Sequence, residues 1–226
     1  MKKLILIVLL STSFSYSQNS LTVNLLHCKN LENNDIYGFN EIVLYKNDSI
    51  YKTDKSSSEF KFFENMPEGK YKIKYNNFFG DLISESFVLD NKKPEYTIDL
   101  CIDKISYQTK AEAKNLFIQR IQNGEVILIN CHYSGCFASS SHQMTITKRK
   151  NKLYLSYNKI KNRKLSNKDI SSLMNYEIEL RNIKQAGYMS TANEFNEIKY
   201  NDEIFAFKIN AFWSGFGNLK KDLKIK

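Results

Sequence analysis

The chain of 226 residues carries 33 Lys and Arg against 24 Asp and Glu, a formal net charge of +9, with 42 % apolar and 13 % aromatic residues. This composition excludes a disordered, collagen-like or low-complexity chain, and the length is ample for a hydrophobic core in one large domain or two small ones. With 2 Pro and 8 Gly, no flexible linker marks a boundary, and 29 Lys against 4 Arg beside 25 Asn match an AT-rich codon bias that accounts for part of the charge.

Residues 1–17 have the form of a secretory signal peptide. Lys2 and Lys3 give the charged start, Leu4 to Leu10 the apolar stretch, and Ser15 and Ser17 the small residues before a cleavage expected ahead of Gln18. Seven apolar residues span roughly a third of a bilayer, too few for an anchor. No Cys lies near the cleavage point, and no later segment approaches a membrane span. The expected mature chain is therefore soluble and exported, periplasmic or extracellular. In such an oxidising compartment Cys28, Cys101, Cys131 and Cys136 allow three disulfide pairings, and neither their number nor their spacing selects one.

Residues 18–102 alternate apolar and polar with the period of strands. The expected strands are Leu21–Cys28, Asn40–Lys46, Ile50–Thr53, Glu59–Phe63, Lys70–Asn76, Leu82–Leu89 and Glu95–Ile102. In Lys70-Tyr71-Lys72-Ile73-Lys74-Tyr75 three apolar side chains face away from three lysines. Turn signals stand between the strands at Asn33-Asn34-Asp35, Lys46-Asn47-Asp48, Pro67-Glu68-Gly69 and Asn91-Lys92-Lys93-Pro94. Seven short strands suit a β-sandwich.

The run Tyr51-Lys52-Thr53-Asp54, Glu59-Phe60-Lys61-Phe62 and Met66-Pro67-Glu68-Gly69-Lys70-Tyr71-Lys72-Ile73 resembles a carboxypeptidase regulatory-like domain. The resemblance covers about 80 residues, and His27-Cys28-Lys29 replaces the usual glycine-containing opening. It implies a transthyretin-like, seven-stranded antiparallel β-sandwich, non-catalytic, with Gly69 in the tight turn and Phe60 and Phe62 in the core. Fold of this kind does not confer function. In that topology the first and last strands are neighbours, which implies Cys28–Cys101 and, with it, Cys131–Cys136; the alternative is two buried free thiols in the sandwich core.

Residues 103–226 change character. Thr109-Lys110-Ala111-Glu112 has capping-box form and opens an amphipathic run in which Ala113, Leu116, Phe117 and Ile121 share a face, closed by Asn123-Gly124. Glu125–His132 is the next expected strand. Met144–Arg149 and Lys152–Tyr157 form a hairpin about Lys150-Asn151. Ser166-Asn167-Lys168-Asp169 opens a second helix that carries Ile170, Leu173, Met174, Glu177, Leu180 and Ile183 at three-to-four spacing and stops near Gly187. Glu194–Tyr200 and Glu203–Asn210 form another hairpin, and Leu219–Ile225 a closing helical turn. The expected order is αββαββ(α), an α+β domain. Residues 18–102 hold a net charge of −3 and residues 103–226 one of +10, an asymmetry that codon bias does not explain.

The basic cluster is the sharpest feature. Lys148, Arg149, Lys150, Lys152, Lys159, Lys161, Arg163, Lys164 and Lys168 fall within 21 residues without an acid, and Tyr154 and Tyr157 are interleaved. A basic hairpin and loop attract polyanions, which for an exported protein are anionic lipid, lipopolysaccharide, acidic polysaccharide or acidic protein, not cytosolic nucleic acid. The competing reading is a solvated hairpin whose lysines blunt a sheet edge.

The segment Cys131 to His142, with His132 and Cys136 between, offers two thiols and two imidazoles. No second metal knuckle follows it. A thiol enzyme on Cys136 with His132 or His142 as base lacks an orienting group, so a structural disulfide is the main expectation. Ser139-Ser140-Ser141-His142 lacks the G-x-S-x-G frame, and Gly215-Phe216-Gly217 is no dinucleotide loop. Glu177 and Glu179, two apart on a helix, face different directions. Phe212-Trp213-Ser214-Gly215-Phe216 is expected to plug a core. The expectation is an exported, non-catalytic binding protein of the cell envelope, without cofactor or metal. The alternative is an exported enzyme built on the Cys131–His142 segment.

Overall fold

The computed structural model describes residues 19–28, 41–56, 58, 60–90, 92–184, 193–209 and 213–225. The segment expected as a signal peptide, the turn at Asn33-Asn34-Asp35, Gly187 and Phe212 lie outside the described residues. No helix among the described residues is long and apolar enough to cross a membrane. The chain divides into two compact units, each discontinuous in sequence: residues 26–28 and 76–82 belong with the part from Cys101 onward.

The first unit is built from seven strands, β1 (Asn19–Leu26), β2 (Ile42–Lys46), β3 (Ser49–Asp54), β4 (Phe60–Met66), β5 (Gly69–Asn76), β6 (Leu82–Leu89) and β7 (Glu95–Cys101). They form a three-stranded sheet, β4-β1-β7, and a four-stranded sheet, β3-β2-β5-β6. Alternation decides which side chains are buried. Leu21, Val23 and Leu25 of β1 and Tyr71, Ile73 and Tyr75 of β5 are buried, whereas the lysines of β5 turn outward. Each such apolar side chain contributes about 1.5–3 kcal/mol. Gly69 has φ of 148°, a conformation that a residue with a Cβ rarely adopts, so the turn into β5 favours glycine.

Two expectations for this half are corrected. Phe60 and Phe62 do not fill the core; they are 57 % and 51 % exposed, while Phe63 and Lys61 are buried. The paired register, Thr22 opposite Phe62 and Val23 opposite Lys61, places Lys61 on the buried side, and a one-residue shift of register exchanges the faces of a strand. The Lys61 ammonium is met there by Ser56 Oγ at 3.0 Å and Asp54 Oδ1 at 3.4 Å. The sheets are also not wholly antiparallel. Ser20 N donates to Pro94 O and Ile102 N to Leu26 O, so β1 and β7 advance in the same direction.

The second unit begins with two 3-10 turns (Tyr107–Thr109 and Ala111–Lys114) and α1 (Phe117–Arg120). Four strands follow, β8 (Val126–Ser134), β9 (Ser139–Arg149), β10 (Lys152–Tyr157) and β11 (Ile160–Lys164). After them come α2 (Asn167–Asn182), β12 (Asn193–Tyr200), β13 (Glu203–Ile209) and α3 (Gly215–Asp222). One sheet of order β11-β10-β9-β8-β12-β13 carries all six strands, and α2 packs against α1, α3 and β13. The basic loop expected after β10 is strand β11, so the order departs from αββαββ(α).

The amphipathic helix expected from Thr109 to Ile121 is broken into short turns. Leu116, Phe117 and Ile118 are consecutive and all buried, which a one-sided helix does not allow. Thr109 Oγ1 donates back to Ser106 O and caps nothing ahead of it. The second helix has the expected start: Ser166 and Asp169 bond reciprocally. It ends at Asn182, with Ile183 as its last cap. Trp213 and Phe216 are buried, Trp213 stacked on Tyr176 at 5.4 Å between centroids.

Cys28 and Cys101 form a disulfide, with Cα atoms 5.4 Å apart and a sequence separation of 73. It fits an oxidising compartment. Beside it His27 is buried 4.0 Å from Asp103 Oδ2, its ring 5.0 Å from that of Phe78. Burial holds the imidazole below its ordinary pKa, against the pull of Asp103. Replacing both disulfide cysteines by Ser is expected to lower unfolding free energy by about 4 kcal/mol, measured by urea titration; an unchanged midpoint contradicts the bond. Because folded His27 resists its proton, stability falls as pH drops below the unfolded value near 6.5 and stops falling once the folded value is passed. The melting temperature of the wild type is therefore expected to drop more than that of His27→Asn between about pH 7.5 and 5.5; parallel curves would refute the assignment.

Candidate functional site

The basic residues lie around the β9–β10 hairpin. Its two-residue turn has left-handed backbone at both positions, Lys150 at φ 49° and Asn151 at φ 58°, a geometry that matches the twist of the flanking strands. Asn123 clamps this turn: Asn151 N donates to Asn123 Oδ1 at 2.9 Å, and Asn123 Nδ2 donates to Asn151 Oδ1 at 3.0 Å. Leu153, Leu155 and Tyr157 of β10 are buried, so Lys152 and Tyr154 face the other way. In register, Arg149 lies directly opposite Lys152, and Lys164 opposite Tyr154.

Arg149, Lys150, Lys152 and Lys164 are thus brought to one end of the hairpin, exposed, and none forms an ion pair among the described residues. The other predicted members do not join them. Lys148 and Arg163 are used internally: Lys148 Nζ donates to Ile121 O at 2.8 Å, and Arg163 pairs with Asp169 at 3.4 Å. Lys159 follows the far end of β10, roughly 17 Å or more from Lys152, and Lys161 stands three residues, about 10 Å, from Lys164 along β11. Lys168 is exposed in the first turn of α2.

The Cys131–His142 segment is split by the same alternation. Cys131 lies on the buried face of β8 and His132 on the other, where its Nδ1 is 2.8 Å from Ser141 Oγ. The expected Cys131–Cys136 bond is absent and both thiols are free. β8 runs extended to Ser134, which carries the chain about 10 Å beyond Cys131 before Gly135 turns, out of reach of a disulfide, which needs Cα atoms within about 7 Å. Cys136 is exposed in that turn.

Residues distant in sequence complete the surroundings of Cys131. His142 is its direct partner across the strands, and Asn196 its partner on β12. Glu194, whose carboxylate accepts from Asn196 Nδ2 at 2.7 Å, lies near enough for its charge to act on the thiol. Tyr176 donates to Asn196 Oδ1 at 3.3 Å. Burial first, then the Glu194 charge, pushes the Cys131 thiol up to about 12, so it stays protonated at neutral pH. Burial likewise raises the pKa of Glu194. The His142 ring is fixed by the Tyr157 hydroxyl, 2.9 Å from Nδ1, and by Phe216, stacked at 5.8 Å. Sequence alternation was enough to put Cys131 beside Ile127 and Ile129. Glu194, Tyr157 and Phe216 needed the sheet order, which no local pattern signals.

Glu177 and Glu179 diverge as expected. Glu177 bonds the start of α1, and Glu179 accepts from the Tyr107 hydroxyl at 2.5 Å and from Trp213 Nε1 at 2.9 Å. No group of three His, Cys, Asp or Glu side chains placed to hold a metal ion occurs among the described residues. No protein-family model, curated protein or solved structure matches the chain.

The thiol assignment has a direct check. Unreduced native protein is expected to show one fast-reacting thiol toward a disulfide reagent, Cys136, and two when unfolded. A native count of zero, or reaction of Cys131 at the same rate, contradicts it.

Proposed function

We propose that the protein is an exported, non-catalytic binding protein of the bacterial cell envelope that contacts polyanions through the end of the β9–β10 hairpin. The same reading takes β1–β7 as a transthyretin-like sandwich of the carboxypeptidase regulatory-like kind. One observation carries the proposal. Arg149 and Lys152 are directly opposed on neighbouring strands, and Lys150 and Lys164 flank them without a counter-charge among the described residues. Like charges in direct cross-strand opposition destabilise a sheet, and an anionic partner relieves that repulsion. Three of the four are lysines, which act as point charges; this suits a partner with repeated or mobile anionic groups better than a single phosphate gripped in two places. Anionic lipid, lipopolysaccharide and acidic polysaccharide all meet that description.

The exposed thiol on Cys136 has neither histidine among its hydrogen-bond partners, and the Cys131 thiol is held protonated. These features favour binding over thiol catalysis. The test is binding of the mature chain to an immobilised sulfated polysaccharide and to anionic vesicles at several salt concentrations. Affinity is expected to fall steeply with salt, and the Arg149→Gln, Lys150→Gln, Lys152→Gln, Lys164→Gln variant to bind at least about tenfold more weakly. Lys159→Gln with Lys161→Gln is expected to have a smaller effect. Equal binding by the four-site variant would sink the proposal.

A further inference from the structure

β8 and β9 place three donors of unusual chemistry on the buried side of the six-stranded sheet. Cys131 lies directly opposite His142, and Met144, two residues beyond His142, lies opposite Ile129 and so diagonal to Cys131. Directly opposed residues hold their Cβ atoms about 4.5–5.5 Å apart, and diagonal ones are within reach of a long side chain. Cys131 is 4 % exposed and Met144 0 %, whereas His142 is only half-buried and opens the group toward solvent.

The imidazole has one ring nitrogen engaged and the other open. Its Nδ1 is engaged by Tyr157, its plane is set by Phe216, and Nε2 has no hydrogen-bond partner among the described residues. Glu194 lies two residues from Asn196, the β12 partner of Cys131, and so puts a carboxylate on the same face of the sheet, diagonal to the thiol.

We propose that Cys131, His142 and Met144 form a binding site for a soft monovalent cation, with the cuprous ion as its biological form. Thiolate, thioether and imidazole are the donors that favour such an ion, while carboxylate, carbonyl and water suit magnesium and calcium. Binding exchanges a proton for the metal. The Cys131 S–H bond breaks, a sulfur–metal bond forms, and the proton passes to Glu194 and on to solvent, with no change of oxidation state. The site is independent of the basic hairpin end and of its reading as a polyanion surface.

The experiment uses the mature chain with Cys136→Ser, which removes the exposed thiol, and Ag⁺ as a redox-inert probe. One Ag⁺ per chain is expected by native mass spectrometry, with release of one proton and a rise in melting temperature that grows with Ag⁺ concentration. Cys131→Ser is expected to abolish binding. His142→Ala is expected to weaken it about 100-fold, and the volume-conserving Met144→Leu about tenfold. X-ray absorption of the Cu⁺-loaded protein is expected to show sulfur and nitrogen neighbours together. Failure of the folded Cys136→Ser protein to bind Ag⁺, binding only after unfolding, or binding unaffected by Cys131→Ser would each overturn the site.

Discussion

The second unit depends on one buried carboxylate. Glu177 is wholly inaccessible, and it accepts from the amides of Phe117 at 2.7 Å and Ile118 at 3.4 Å and from Arg181 through Nε at 3.0 Å and through Nη2. The Arg181 guanidinium in turn lies 3.8 Å from the ring centre of Phe205 and 4.5 Å from that of Phe117. A carboxylate taken out of water without partners costs several kcal/mol. Here burial raises its pKa while the four donors pull it back. The same contacts explain α1, whose four residues are too few to hold a helix alone. Its first amides are satisfied by a side chain 60 residues away, and β13 is drawn to the same point through Phe205.

How much of this was legible in the sequence follows from the range of each interaction. All seven strands of the first half appear near their expected places, because each needs only its own alternation and a turn on either side. The faces of β4 were not legible: Phe60-Lys61-Phe62-Phe63 satisfies a period of two in either phase, and pairing with β1 chooses the one that buries Lys61. The second helix was legible because Ser166 and Asp169 are three residues apart. The first was not, because Glu177 overrides the local pattern. Strand β11 carries Lys161, Arg163 and Lys164 with little apolar content, and only its pairing with β10 makes it a strand.

The candidate sites divide along the same line. Counting charges located the basic hairpin, but not that Lys148 and Arg163 would be consumed by Ile121 and Asp169. The cysteine pair close in sequence, Cys131 and Cys136, proved unbonded, while the pair 73 residues apart is joined. Extended backbone separates near neighbours efficiently, and strand order is what brings distant ones together. The Cys131 surroundings, with donors from β8, β9 and β12, are a product of that order.

The left-handed turn at Lys150 and Asn151 bears on how the basic end would meet a polyanion on the proposed reading. A non-glycine residue in this region carries a steric cost of about 1–2 kcal/mol, and Asn123 holds the turn there through two hydrogen bonds. The backbone at the tip has therefore lost its freedom on folding. A flexible loop of lysines surrenders that freedom each time it is captured, and the loss subtracts from affinity. This tip is already preorganised, so on the proposed reading capture of a polyanion would add no backbone ordering cost at the turn to the side-chain ordering and desolvation that any such contact carries.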